Sequence, residues 1–165
     1  MSPTLLTRRH SRSSRYASLI ALAAALLTAV VLAPTASAAS GESIASCTNT
    51  TPPSWFFGQL TTYTTTKAGV PSSWASGAYG YDMARIACYE STYRLTAYNG
   101  SCCWGMYQFS MTSLAGTGVT WTCYWYGCSG LRAAVWQDIA ALRYAKSRYG
   151  DPAKAWAHQV SYGWW

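Results

Sequence analysis

The sequence predicts a predominantly helical, exported single domain held together by disulfides. Three observations carry that expectation. Six cysteines, Cys47, Cys88, Cys102, Cys103, Cys123 and Cys128, all lie behind an N-terminal export signature. Apolar residues recur at helical spacing in three separate segments. No segment shows the period-two alternation of a half-buried strand.

Residues 1–38 read as a secretory signal. Arg8, Arg9, Arg12 and Arg15 form a positive start, residues 17–33 are an almost unbroken apolar run, and Ala36-Ser37-Ala38 supplies the small-x-small cleavage pattern. A transmembrane anchor is the competing reading, since the run approaches the roughly 20 residues that span a bilayer. The cleavage pattern directly behind it favours the signal. No cysteine follows the site, which disfavours a lipid anchor, and Arg8-Arg9 lacks the apolar follow-up of a twin-arginine signal. The expected location is therefore extracellular and cell-wall associated, without a membrane anchor after processing.

Processing changes the charge. Four of the twelve basic residues leave with the signal and none of the five acids, so a formal +7 becomes +3. That mild excess suits an anionic surface such as a bacterial cell wall. It is too small and too scattered for nucleic acid, which calls for a clustered basic footprint. The cysteines are even in number, which in an exported domain implies a disulfide framework rather than a zinc site. Zinc also lacks ligands, because His158 is the one histidine past the signal. Neither metal nor cofactor is expected, and the domain is read as a monomer. Cys123 and Cys128 bracket a short loop that a bridge can close. Cys102 and Cys103 are expected to pair with different partners, because a bridge between neighbours is strained.

Residues 39–69, rich in Ser, Thr and Pro, read as a loop-like N-terminal arm lying on the domain, tethered by Cys47 and by apolar Trp55-Phe56-Phe57. The domain proper spans 70–165. Its first helix covers about 77–91, where Met83, Ile86, Ala87 and Glu90 fall at i, i+3, i+4 and i+7, placing Glu90 on the apolar stripe. A short helix starts near Met111, and 115–130 read as an irregular, disulfide-tied loop. Leu131, Val135, Ile139 and Leu142 form the core stripe of a long helix ending at Gly150. Asp151 then caps a last helix with Pro152 in its first turn and Ala155, Trp156 and Val160 on its apolar face.

Glu90 is the leading candidate for acid chemistry. A carboxylic acid protonates a leaving group near neutral pH only if its pKa is raised, which burial and a helix C-terminus both do. The bland alternative is a structural glutamate satisfied by Arg94. A two-carboxylate glycosidase needs a second acid about 5 to 9.5 Å away. Asp82 lies two helical turns back, about 12 Å off, Asp151 reads as a cap and Asp138 as a solvent-face residue. His158 reads as structural, since no nucleophile elbow accompanies it.

Several segments together resemble the lysozyme-like domain of soluble lytic transglycosylases. They are Ile86-Ala87-Cys88-Tyr89-Glu90-Ser91, the Asn99-Gly100 turn, Gly105-Met106-Tyr107-Gln108-Phe109, and Arg148-Tyr149-Gly150-Asp151 with Ala155-Trp156. The run Gln108-Phe109-Ser110 is also similar to resuscitation-promoting factors. The resemblance covers roughly 70–165 and implies an α+β, predominantly helical, lysozyme-like fold. It implies Glu90 as the sole catalytic acid, with Gln108, Tyr107, Met106, Asn99 and Trp156 against the substrate. It further implies cleavage of the MurNAc-GlcNAc β-1,4 bond of peptidoglycan, leaving a 1,6-anhydro product, or a hydrolysed one if water replaces the C6 hydroxyl as in goose-type lysozymes. The chain departs from the family where Trp156 stands in place of a tyrosine. A non-catalytic wall-polysaccharide-binding or antimicrobial module on the same fold is the alternative, favoured by the abundance of Trp and Tyr, whose exposed rings stack on sugars.

Overall fold

The computed structural model describes residues 43–165, which belong to a single compact unit. The signal-peptide reading lies outside the described residues. Eight helices and one two-stranded sheet follow in the order α1 (Ile44–Thr48), α2 (Ser54–Gln59), α3 (Thr62–Ala68), α4 (Gly77–Ser91), β1 (Cys103–Trp104), β2 (Phe109–Ser110), α5 (Met111–Gly116), α6 (Trp121–Tyr126), α7 (Ala133–Tyr144) and α8 (Pro152–Tyr162). A 3₁₀ turn, Ser72–Ala75, precedes α4, and a wide π turn, Ala145–Tyr149, extends α7. The chain is thus mostly helical with a minimal sheet.

The arm expected as a loop-like segment tethered on the domain is instead three short helices built into it. Phe56 and Leu60 are fully enclosed and share one core with Met83, Ile86, Ile139 and Leu142. Enclosing a phenylalanine or leucine side chain contributes about 1.5–3 kcal/mol each, enough to order segments this short. The threonines that made the stretch look like a linker serve as caps. Thr61 and Thr64 form a reciprocal capping box at the start of α3, and Gly69 closes it with φ +71°. Disulfide Cys47–Cys88 then fastens α1 to α4.

α4, the expected first helix, packs on α8, while α7 receives α3 and α6. Asp151 caps α8 through its side chain, which accepts from the Lys154 amide at 2.8 Å, with Pro152 at the first position. Ala155 and Trp156 are buried as expected, but Val160 is half exposed, so the apolar face of α8 is completed by Gln159 instead. The segment expected as an irregular loop contains α6, started by Thr120, whose hydroxyl accepts from the Cys123 amide.

The sheet is an antiparallel hairpin pairing Cys103 with Ser110 and Trp104 with Phe109. Strands of two residues carry no readable alternation, and none was expected. The hairpin turns through 105–108, which places the Gly-Met-Tyr-Gln run on a tight turn rather than an open loop. Gly105 is required there: its φ is +78°, and a β-carbon would meet Tyr124 Cε1 at 2.7 Å.

Candidate functional site

Glu90 sits in the last turn of α4, where the negative end of the helix disfavours a second negative charge. Burial dominates its environment and pushes its pKa from an ordinary 4.5 to about 7; the Gln159 amide opposes the shift only in part. That amide lies near the carboxyl, yet neither its oxygen nor its nitrogen completes a hydrogen bond of ordinary geometry. The contact is therefore loose, which is why burial prevails. Tyr149 also feels the Glu90 charge: burial first, then Tyr144, raise its phenol to about 12, Arg148 opposes, and Glu90 adds to the rise. The Tyr149 hydroxyl is enclosed and completes no hydrogen bond of ordinary geometry, although Arg148 lies close, over the ring at 5.7 Å, and lowers the phenol's pKa. The Gln159 amide and the Tyr149 phenol thus belong to the electrostatic surroundings of the Glu90 carboxyl.

Ser91 joins the acid's helix to the hairpin turn. Its hydroxyl donates to the Met106 carbonyl at 2.8 Å and accepts from the Arg94 amide at 3.0 Å. From below, buried Gln137 accepts from the Met106 amide at 2.6 Å and donates to the carbonyls of Leu95, at 3.0 Å, and Tyr124, at 3.2 Å. From the side, Trp165 packs on Tyr107 and Phe109 and donates from its ring nitrogen to the Tyr107 carbonyl at 3.2 Å. The turn is thus held from three directions. Strained backbone flanks it: Thr92 and Tyr93 behind Glu90, and Gln108 in the turn, have φ of 55°, 61° and 50°. Such left-handed conformations, least tolerable for a β-branched threonine, cluster at functional sites.

The expected substrate contacts are distributed unevenly. Gln108 is half-buried, with its amide nitrogen donating to the Gly105 carbonyl at 2.8 Å and its oxygen unpartnered. Met106 and Tyr107 are fully buried, which corrects the expectation that they meet substrate: they are the underside of the turn. Trp156 is 9% exposed and belongs to the core, so it offers no open stacking face. Asn99 builds the preceding turn, its Oδ1 accepting from the amides of Ser101, Cys102 and Cys103 at 3.0, 3.0 and 3.1 Å.

That gathering of amides also explains a second correction. Cys102 and Cys103 are bonded to each other, not to separate partners. Asn99 curls the chain tightly enough to bring the two sulfurs together, while Cys47–Cys88 and Cys123–Cys128 use the other four.

Asp138 departs furthest from expectation. It is buried rather than on the solvent face, its Oδ1 accepting from the Tyr107 hydroxyl at 2.8 Å and its Oδ2 unpartnered. Burial pushes its pKa up to about 8, against the lowering effect of Tyr107. Asp82 is buried as well and pairs with Arg85 at 2.8 Å. Among the described residues, no group of three His, Cys, Asp or Glu is placed to hold a metal, and no helix is long and apolar enough to cross a membrane.

Gln159 and Tyr149 are the site residues that sequence reasoning did not single out. Gln159 was within reach: it falls four residues after Ala155 and three after Trp156, on the apolar stripe of α8, where an amide is out of place. Tyr149 stood in the Arg148-Tyr149-Gly150-Asp151 segment of the resemblance, but nothing in its spacing marked it as a neighbour of the acid. No protein family, curated protein or solved structure matches this chain.

Proposed function

We propose that this chain is a secreted peptidoglycan-cleaving enzyme of lysozyme-like type, acting at the MurNAc-GlcNAc β-1,4 bond with Glu90 as its one catalytic acid. The observation that carries the reading is Glu90 itself: a carboxyl raised to about 7 by burial, at a helix end, beside the unpaired amide of Gln159. An acid with that pKa is about half protonated at neutral pH, the range in which a single group serves as acid and then as base.

In the proposed reaction Glu90 donates its proton to the glycosidic oxygen as the C1–O bond of the muramic acid breaks. The resulting carboxylate takes the proton of that sugar's C6 hydroxyl while the C6 oxygen bonds to C1. Glu90 regains its proton and a 1,6-anhydro sugar is left, with no second carboxylate required. This suits a chain whose Asp138 is occupied by Tyr107 and whose Asp82 is occupied by Arg85. In this reading the Gln159 amide, beside the carboxyl, holds it or a sugar hydroxyl next to it.

Glu90→Gln keeps the shape and removes the acid. Purified Glu90→Gln should lose clearing of cell-wall suspensions by several orders of magnitude, and clearing at the wild-type rate refutes the assignment. Mass spectrometry of released muropeptides separates transglycosylation from hydrolysis, because the anhydro product is lighter by one water. The exposed rings of Tyr63, Tyr81, Tyr98 and Tyr126 favour one second reading, a wall-binding module without catalysis. Under it, wall binding occurs with no released fragments from either protein.

A further inference from the structure

Two features outside the Glu90 site fall on one part of the chain. The first is a connected series of rings. Tyr98 stacks on Trp104 at 5.1 Å and 14°, Trp104 meets the edge of Trp121 at 5.3 Å, and Trp121 stacks on Trp125 at 5.2 Å and 10°. Tyr98 is 49% exposed, and the other three are partly exposed. The second is an open groove of about 320 Å³ in which Trp121 forms a wall with Met111, Leu114 and Val119. The groove continues the ring series along α5.

The sequence gives this surface its character. From Arg94 to Arg132 there is no Lys, Arg, Asp, Glu or His between those two residues, in a chain that is otherwise basic. Hydroxyls, amides and rings fill the stretch instead, and Arg143, the cation beside Gly118 of the groove, donates from its guanidinium to the carbonyls of Thr117 and Lys67. A nucleic acid or an anionic lipid surface would be met by clustered cations, and an acidic or basic protein segment by opposite charge. Aromatic faces interspersed with neutral hydrogen-bonding groups match a neutral sugar chain, whose pyranose rings present apolar C–H faces to rings and hydroxyls to amides. Two bridges, Cys102–Cys103 and Cys123–Cys128, flank the ring-bearing segments, so the surface is ordered before a ligand arrives. Trp104 also directly precedes Gly105 of the hairpin turn, which makes the surface continuous in sequence with the proposed site.

We propose that Tyr98, Trp104, Trp121, Trp125 and the α5 groove form a glycan-binding surface, made of residues other than those around Glu90, that holds a neutral β-1,4-linked pyranose strand. The identity of the strand as N-acetylhexosamine rests on the function proposed above; the surface and its neutrality do not. Its role is to keep the enzyme on the polymer while Glu90 acts.

Chitohexaose titrated against the full chain, followed by tryptophan fluorescence, tests it. Saturable binding is expected, unchanged between low salt and about 0.5 M NaCl because no ion pair is involved. Tyr98→Ala should weaken binding roughly 2- to 12-fold, the range of a single aromatic stacking contact, and Tyr98→Phe should restore it. Tyr98 is half exposed, so its removal leaves the core in place; Ala115→Arg, on the exposed rim of the groove, blocks the site by a second route. Native circular dichroism of both variants excludes misfolding. Glu90→Gln should bind as the wild type does while losing cleavage, so this surface and the catalytic reading fail separately. Absence of chitohexaose binding, binding untouched by both variants, or binding abolished by salt overturns the proposal.

Discussion

Replacing Glu90 by glutamine should stabilise the protein at pH 8 and leave its stability unchanged at pH 4. In the folded chain the carboxyl titrates at about 7 against an ordinary 4.5, so between those values the folded state holds a proton that the unfolded state has released. Stability therefore falls as pH rises through that window, and the loss is complete above pH 7. A shift of this size converts to about 3 kcal/mol. Glu90 is mostly buried yet keeps some solvent contact, so about 2 kcal/mol is the expected difference. Glutamine fills the same volume and never ionises, so it avoids this penalty. Urea unfolding followed by tryptophan fluorescence at pH 4, 5.5, 7 and 8.5, on both proteins, gives the difference directly. It should be near zero at pH 4, grow through the middle points and level off at about 2 kcal/mol, equivalent to a melting rise of several degrees. Subtracting the two curves removes Asp138, which titrates in both. A difference that is flat with pH, or a Glu90 side-chain NMR titration centred near 4.5, would refute the reasoning and remove the main support for an acid at this position.

Asp138→Asn should likewise stabilise the protein more at pH 8 than at pH 4, because burial lifts this carboxyl to about 8 and the folded state loses stability as pH rises toward that value; pH-resolved melting checks it. Gly105→Ala should destabilise by about 2–4 kcal/mol, since a methyl at φ +78° meets the Tyr124 ring, and thermal melting measures it. Removing the Cys47–Cys88 bridge with the double serine variant opens a separation of 41 residues and should lower stability by about 4 kcal/mol. Proteolysis of that variant should release α1 alone, because Phe56 and Leu60 still hold α2 and its flank in the core.

The helices legible in the sequence were those long enough to show a stripe and marked by a stop: α4 with its Met83-Ile86-Ala87 face, α7 with its run to Gly150, and α8 with Asp151-Pro152 at its head. The three helices of the arm were not, since five to seven residues display barely two turns and their caps are threonines that also suit linkers. α6 was hidden by the glycines and aromatics around it. Glu90 could be found because burial, helix end and neighbouring sequence are all local facts. Asp138 was misread because what justifies its burial, the Tyr107 hydroxyl, comes from 31 residues away and leaves no mark on its own helix. Met106 and Tyr107 failed for a related reason: a motif specifies which residues form a turn, while the packing beneath it decides which of them face inward.

Gln137 binds three backbone groups from segments that are distant in sequence, and this has a consequence for how the molecule opens. The amides of the hairpin turn cannot exchange with solvent by local fraying, because releasing Met106 from the Gln137 oxygen also loosens the amide that holds Leu95 and Tyr124. These segments should behave as one cooperative unit, whose slow deuterium uptake follows global unfolding rather than the motions of its individual loops. The hairpin turn beside Glu90 is then as durable as the core beneath it.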